Sequence, residues 1–215
     1  MARRYDCTDA TDRRTGLREA ASAVRRRELV VMPTDTVYGI GADAFSVEAV
    51  GELLEAKGRG RGMPSPVLVG SPNTLHGLVT DFSERAWELV DAFWPGALTI
   101  VAKHQPSLTW DLGETRGTVA VRMPLHPVAL ELLTEFGPMA VSSANLSGHP
   151  APQDCDAAQE MLGESVSVYL DGGPTPDTAP SSIVDVTGEV PVLLRAGALS
   201  AEELRKVVPD LEVGS

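Results

Sequence analysis

Six short polar stretches hold the residues best suited to chemistry in this chain: Thr34 to Gly39, Lys57 to Arg61, Thr118 to Arg122, Ser142 to Asn145, the pair Ser181-Ser182, and Arg195. Each is rich in hydroxyls, amides or cations and falls between apolar segments. In α/β sheets ligands gather at strand ends, so convergence of these stretches builds a pocket with several positive charges and many neutral donors. Such a lining suits a polyanion together with a small polar co-substrate. Taken singly, each stretch also has the composition of a solvated loop, and the glycines of Lys57-Gly-Arg59-Gly-Arg61 serve flexibility as readily as anion binding.

Other catalytic patterns are missing. Gly39-Ile40-Gly41-Ala42-Asp43-Ala44 matches the GxGxxA spacing, but polar residues separate it from the preceding strand and the next helix starts only near Ser46. A dinucleotide fingerprint needs its glycines at a strand-to-helix turn. There is no Walker A pattern and no GxSxG elbow, and the four histidines (His76, His104, His126, His149) lack HxH or HExxH spacing. His126, before Pro127, reads as a capping residue. Cys7 and Cys155 have no metal-type spacing and read as small buried hydrophobes. No metal site built from side chains is expected; magnesium would arrive on a phosphate substrate, which supplies most of its ligands with water.

Charge placement sharpens the reading. Lys plus Arg number 18 and Asp plus Glu 30, a net charge of −12. A general nucleic-acid binder, which needs many cationic phosphate contacts, is disfavoured. Eight of the cations precede residue 28 and two lie at Arg205 and Lys206, leaving only Lys57, Arg59, Arg61, Arg85, Lys103, Arg116, Arg122 and Arg195 between. With 43% hydrophobic and 22% charged residues, the chain has the profile of an ordinary globular protein. It has no apolar run of membrane-spanning length and no apolar N-terminal segment, so a cytoplasmic location without membrane contact is expected.

The elements that must position these residues alternate. Leu17, Ala20, Ala21 and Val24 predict a first helix ending in Arg25, Arg26 and Arg27, a solvated basic face. Strands are predicted at Leu29 to Met32, Val67 to Val69, Leu98 to Ala102, Val119 to Val121, Met139 to Val141, Val166 to Leu170, Ile183 to Val186 and Val192 to Leu194. Helices are predicted from Ser46 with Val47, Val50, Leu53 and Leu54 inward, from Ser71-Pro72, from Ser83 to Phe93, from His126 to Phe136, near Ala157 to Leu162, and from a capping box at Ser200 to Glu203. Thr34 to Gly41 and Ser142 to Gly148 are assigned to turns. The pattern implies a single α/β domain over 1–215, core about 17–205 with short extensions, around an open mixed sheet.

The runs Pro33-Thr-Asp-Thr-Val-Tyr-Gly-Ile40, Lys57-x-Arg59, Trp94-Pro-Gly-Ala-Leu-Thr99, Val119-Ala-Val-Arg122-Met-Pro-Leu-His126-Pro, Ser143-Ala-Asn145-Leu-Ser-Gly148 and Leu194-Arg195-Ala-Gly197 together resemble the YrdC/TsaC family of threonylcarbamoyl-AMP synthases. They stand in the family's order and cover roughly residues 17 to 205. The resemblance implies an open, twisted sheet with flanking helices around a positively charged cavity, in the short form of the family. It also implies an enzyme that makes threonylcarbamoyl-AMP and pyrophosphate from L-threonine, bicarbonate or CO2, and ATP carried with Mg2+. The product serves threonylcarbamoyladenosine modification of tRNA through separate transferase proteins.

Carried over by position, the resemblance implies that Lys57, Arg59, Ser143 and Asn145 form the catalytic set around the ATP phosphates and threonine. Thr118 and Arg195 would contact the nucleotide, Thr34 would contact threonine, Arg122 would hold its carboxylate, and Ser181 would belong to the threonine side. Gly60 stands where the family usually has Pro, and the basic loop runs on to Arg61, so Arg59 and Arg61 are both candidates for the phosphates. Pro180-Ser181-Ser182 and Ala196 also depart from the family pattern. Two alternatives stand beside the synthase: a paralogue making another carbamoyl-adenylate, and an RNA-binding or ribosome-maturation protein with weak tRNA contact through Arg25, Arg26 and Arg27, whose binding would fall steeply with salt.

Overall fold

The computed structural model describes residues 2–176 and 179–214. In chain order it contains β1 (Arg3–Asp6), α1 (Ala10–Arg25), β2 (Val30–Met32), β3 (Gly39–Asp43), α2 (Val47–Ala56), β4 (Val67–Leu68), α3 (Leu75–Leu78), β5 (Val79–Thr80), α4 (Glu84–Phe93), β6 (Leu98–His104), β7 (Thr118–Arg122), α5 (Pro127–Phe136), β8 (Met139–Ser143), α6 (Cys155–Leu162), β9 (Val168–Asp171), β10 (Ser182–Asp185), β11 (Val192–Arg195), α7 (Ala201–Arg205) and β12 (Glu212–Val213). The helix starts follow local chemistry. Asp9, Ser46, Ser83 and Asp154 each accept a first-turn N–H, and Ser200 with Glu203 closes a capping box. His126 Nδ1 accepts the Val128 N–H at 3.3 Å ahead of Pro127, as a capping residue should.

The strands form one mixed sheet in the order β1-β9-β2-β3-β8-β4-β7-β6-β10-β11-β12, with β5 attached to β6. Alternation divides its two faces. Val30, Met32, Met139, Val141, Val168 and Leu170 point toward α1 and α5, while Val31, Ala140 and Tyr169 point toward the layer that holds α2, α4 and α6. Burial of residues such as Leu17, Val24, Leu132 and Leu133, roughly 1.5–3 kcal/mol each, pins α1 and α5 over β9, β2, β8 and β4.

The same face of β7, β6 and β10 presents Thr118, Ala120 and Arg122, then Thr99, Val101 and Lys103, then Ile183 and Asp185. This set is too polar to bury beneath a helix, so half of the face stays open. That opening is what positions the site.

Several expectations need correction. Gly39 to Asp43 is a central strand and not a turn. A Cβ at Gly39 would lie 2.7 Å from Val141 Cγ1, and one at Gly41 would lie 2.9 Å from Met139 Cε, so these glycines let β3 fit against its neighbours' side chains. Ser142 and Ser143 continue β8 because they pair with Ile40 and Gly39. Val47 faces solvent. The short strands β1, β5 and β12 carry no pattern of their own and exist because the sheet supplies a partner. Arg25, Arg26 and Arg27 are solvated as expected, but each has an acidic partner, Glu135, Glu28 and Glu48 respectively. Cys7 and Cys155, by contrast, are buried free thiols as expected, and burial pushes both up to about 12.

Candidate active site

The open half-face is the floor of a cavity of about 400 Å³, within the range of small-molecule sites. Thr99, Val101, Ala120, Arg122 and Ile183 form the floor, while Thr34, Thr36, Ser142 and Ser143 make one wall and Ser181, Leu194 and Arg195 the other. Among the described residues the charged ones of the lining are three arginines, Arg59, Arg122 and Arg195. Among the described residues no group of three or more His, Cys, Asp or Glu could hold a metal ion. The donor set is therefore guanidinium and hydroxyl.

The arginines differ in how their charge is met. Arg122 is buried, and its Nε donates to Gly96 O at 2.9 Å, Nη1 to Thr36 Oγ1 at 3.0 Å and Nη2 to Asp35 Oδ1 at 2.6 Å. Burial pulls its pKa down, and Asp35 opposes that effect. The Thr34 hydroxyl donates to Val37 O at 2.6 Å and accepts the N–H groups of Thr36 and Val37 at 3.2 Å, so the Thr34 to Val37 turn is held rigid. Asp35 Oδ1 also accepts Leu125 N–H at 2.8 Å and so ties this turn to the segment after β7. Among the described residues the Arg59 side chain, by contrast, donates only to Ser142 Oγ at 3.1 Å, and its Nε is buried without a partner. Arg195 grips Ser181 O through Nε at 3.1 Å and Nη2 at 2.7 Å, while Ser181 Oγ lies 2.8 Å from Thr99 Oγ1. A Cβ at Gly197 would lie 2.1 Å from Pro180 O, so only glycine admits this crossing of chains.

Not every expected residue lines the cavity. Lys57, 2% exposed, sits behind the wall; its Nζ donates to Ser143 O, to Asn145 O at 2.7 Å and to Asn145 Oδ1 at 3.3 Å, and burial lowers it to about 8. Asn145 in turn donates to Leu146 O and His149 O. These two residues shape the Ser143 turn. Thr118 shares the face of Ala120 and Arg122 but lies four residues from Arg122, about 13 Å along the strand. Arg61 leaves the cavity altogether to pair with Asp111. Asp35, Thr36, Thr99 and Ser142 had no assigned role in the sequence reading. Asp35, Thr36 and Thr99 lie inside two of the quoted runs, and Thr99 comes beside Arg122 through the pairing of Ile100 with Val121.

Comparison with known proteins agrees with the fold. A Mycobacterium tuberculosis protein, assigned provisionally as a threonylcarbamoyl-AMP synthase, is 57% identical over 97% of this chain and 96% of its own length. The Bacillus subtilis threonylcarbamoyl-AMP synthase is 39% identical over 91% of this chain and 57% of its own length. The crystal structure of Pyrococcus abyssi Sua5 complexed with L-threonine superposes with a TM-score of 0.91 at 36% identity, over all of this chain and 62% of that one. Residues 22–197 match the Sua5/YciO/YrdC family, which is described under telomere recombination, and the chain belongs to that family.

Proposed function

We propose that this chain is an L-threonylcarbamoyladenylate synthase, a nucleotidyltransferase that forms threonylcarbamoyl-AMP and pyrophosphate from L-threonine, bicarbonate-derived CO2 and ATP. The observation that carries the reading is a cavity whose charged lining residues, among those described, are all arginines, set on the open half-face of a sheet shared with Sua5. The threonine amine bonds to the carbon of CO2 and releases a proton to solvent, which leaves a carbamate. A carbamate oxygen then bonds to the α-phosphorus of ATP as the bond to the β-phosphate bridging oxygen breaks, and pyrophosphate departs. No protein nucleophile is needed, so catalysis rests on positioning and on charge neutralisation.

The unequal arginines suit this division. Arg122, balanced by Asp35, suits the single carboxylate of threonine beside Thr34, with Ser181 across the floor. Arg59 and Arg195, which have no carboxylate within ion-pair distance among the described residues, suit the phosphates. Ser143 would orient the reacting groups, and Lys57 with Asn145 would fix the Ser143 turn. Because the described residues of the lining offer no carboxylate, Mg2+ belongs to the substrate as MgATP, held by phosphate and water. Transferase proteins would consume the product for tRNA modification. A cytoplasmic setting fits that role, and no helix of the described residues is long and apolar enough to cross a membrane. The test is pyrophosphate release from ATP that requires both threonine and bicarbonate; release indifferent to threonine rejects the assignment.

A further inference from the structure

The loop that carries Arg59 runs from Gly58 to Pro66 and is laced to the β6–β7 connection at three points. Arg61 Nη2 donates to both carboxylate oxygens of Asp111, at 2.7 and 2.9 Å. The Arg61 carbonyl accepts Glu114 N–H at 2.8 Å, and Ser65 N–H donates to Leu112 O at 3.2 Å. Leu112 is buried in the core and anchors the turn beneath these contacts. Asp111 Oδ1 also accepts Gly113 N–H at 3.2 Å, which stiffens its own turn. At Gly113, with φ of +106°, a Cβ would stand 2.7 Å from Arg61 O and 3.3 Å from Pro64 Cα, so the two segments meet as closely as backbones can.

The near side of the loop is tied to the end of α2, where Arg59 N–H donates to Leu54 O and Gly58 N–H to Glu55 O, both at 2.8 Å, and beyond Arg59 the restraint is slighter. Gly58, Gly60 and Gly62 have nothing within 4 Å of an added Cβ, and among the described residues the Arg59 side chain has a single hydrogen-bond partner, Ser142. The direction in which Arg59 leaves α2 and meets the cavity wall therefore depends also on what holds the far side of its loop. We propose that Asp111, acting through Arg61, is a positioning residue for Arg59, and that the Asp111 to Glu114 turn clamps the phosphate-facing loop. Arg61 thereby has a role other than phosphate ligation: its guanidinium faces away from the lining and is spent on Asp111. The clamp is made of exposed side chains, 59% for Arg61 and 32% for Asp111, so it can be altered without disturbing the core.

This inference rests on the nucleotide reading of the cavity. Its test compares Arg61→Gln, Asp111→Asn and the exchanged pair Arg61→Asp with Asp111→Arg. MgATP affinity is read by titration calorimetry, the KM for each substrate by pyrophosphate release, and the fold by thermal melting. Wild-type protein that binds no MgATP would overturn the cavity assignment itself; faster protease cleavage within residues 58–66 in both single variants than in wild type would then still support the clamp, and equal cleavage would overturn it. With MgATP binding intact, each single variant is expected to weaken ATP binding and raise the ATP KM about three- to tenfold. The KM for threonine and the melting temperature should stay unchanged, and the exchanged pair should recover to within about twofold. Loss in Arg61→Gln alone, with Asp111→Asn unaffected and no recovery in the exchanged pair, would make Arg61 itself the phosphate ligand and overturn the clamp. Variants indistinguishable from wild type would overturn it as well.

Discussion

Replacing Arg122 by alanine should separate what its charge does for stability from what it does for catalysis. The pair with Asp35 is 2.6 Å long, with side chains only 8% and 14% exposed. Two unit charges about 4 Å apart interact by about 4 kcal/mol at an effective dielectric of 20. Removing one partner of a buried pair costs about 3–5 kcal/mol, because the other charge is left without compensation. Arg122→Ala also strips Gly96 O and Thr36 Oγ1 of their donor. A loss of about 3–5 kcal/mol, set against a typical total of 5–15 kcal/mol, leaves the protein folded at low temperature but lowers its melting point by roughly 6–20 °C. The double variant Asp35→Ala/Arg122→Ala removes the stranded carboxylate and should regain most of that stability. Threonine-dependent pyrophosphate release should stay lost in both. Urea unfolding measures the first quantity and the release assay the second. A single variant that loses less than about 1 kcal/mol, or a double variant no more stable than Arg122→Ala, would refute the view that Asp35 compensates a buried guanidinium.

Two further outcomes follow from local geometry. Gly197→Ala places a methyl 2.1 Å from Pro180 O and should spread the Ser181–Arg195 clasp, so activity should fall at least tenfold while far-UV circular dichroism stays near wild type; full activity would show that the clasp is idle. Burial lowers the pKa of His126 below its ordinary 6.5, although Asp35 nearby opposes the shift. The unfolded state therefore binds more protons in that range, and the stability contributed by the neutral ring is full above about pH 6.5 and is lost as pH falls. Between pH 7 and 5 the wild type should lose more stability than His126→Asn, which keeps a capping side chain without titrating; equal slopes in urea unfolding would exclude the effect.

The longer helices were legible because each has a side-chain cap and an apolar stripe at helical spacing, as in Ser83 to Phe93 and His126 to Phe136. Strands such as Leu98 to Ala102 announced themselves by apolar runs. β3 did not, because its glycines are set largely by Met139 and Val141 on β8, residues distant in sequence. The site divides in the same way. Thr34, Arg59, Arg122, Ser143, Ser181 and Arg195 line the cavity as their residue types suggested. Lys57, Asn145 and Arg61 are just as polar, but their donors are taken up by carbonyls and a carboxylate that only folding brings near.

What the amino-acid sequence determined by itself was therefore local or additive: the α/β alternation, the caps, the scarcity of mid-chain cations and the motifs that carry the family. The tertiary structure alone decided which half of the sheet stays open, which arginine carries an unmatched charge and which basic residue of the Lys57 to Arg61 loop faces the cavity. Each of those depends on a pairing between segments far apart in the chain, such as Arg122 with Asp35 or Arg61 with Asp111, and residue type and spacing carry no record of such distances.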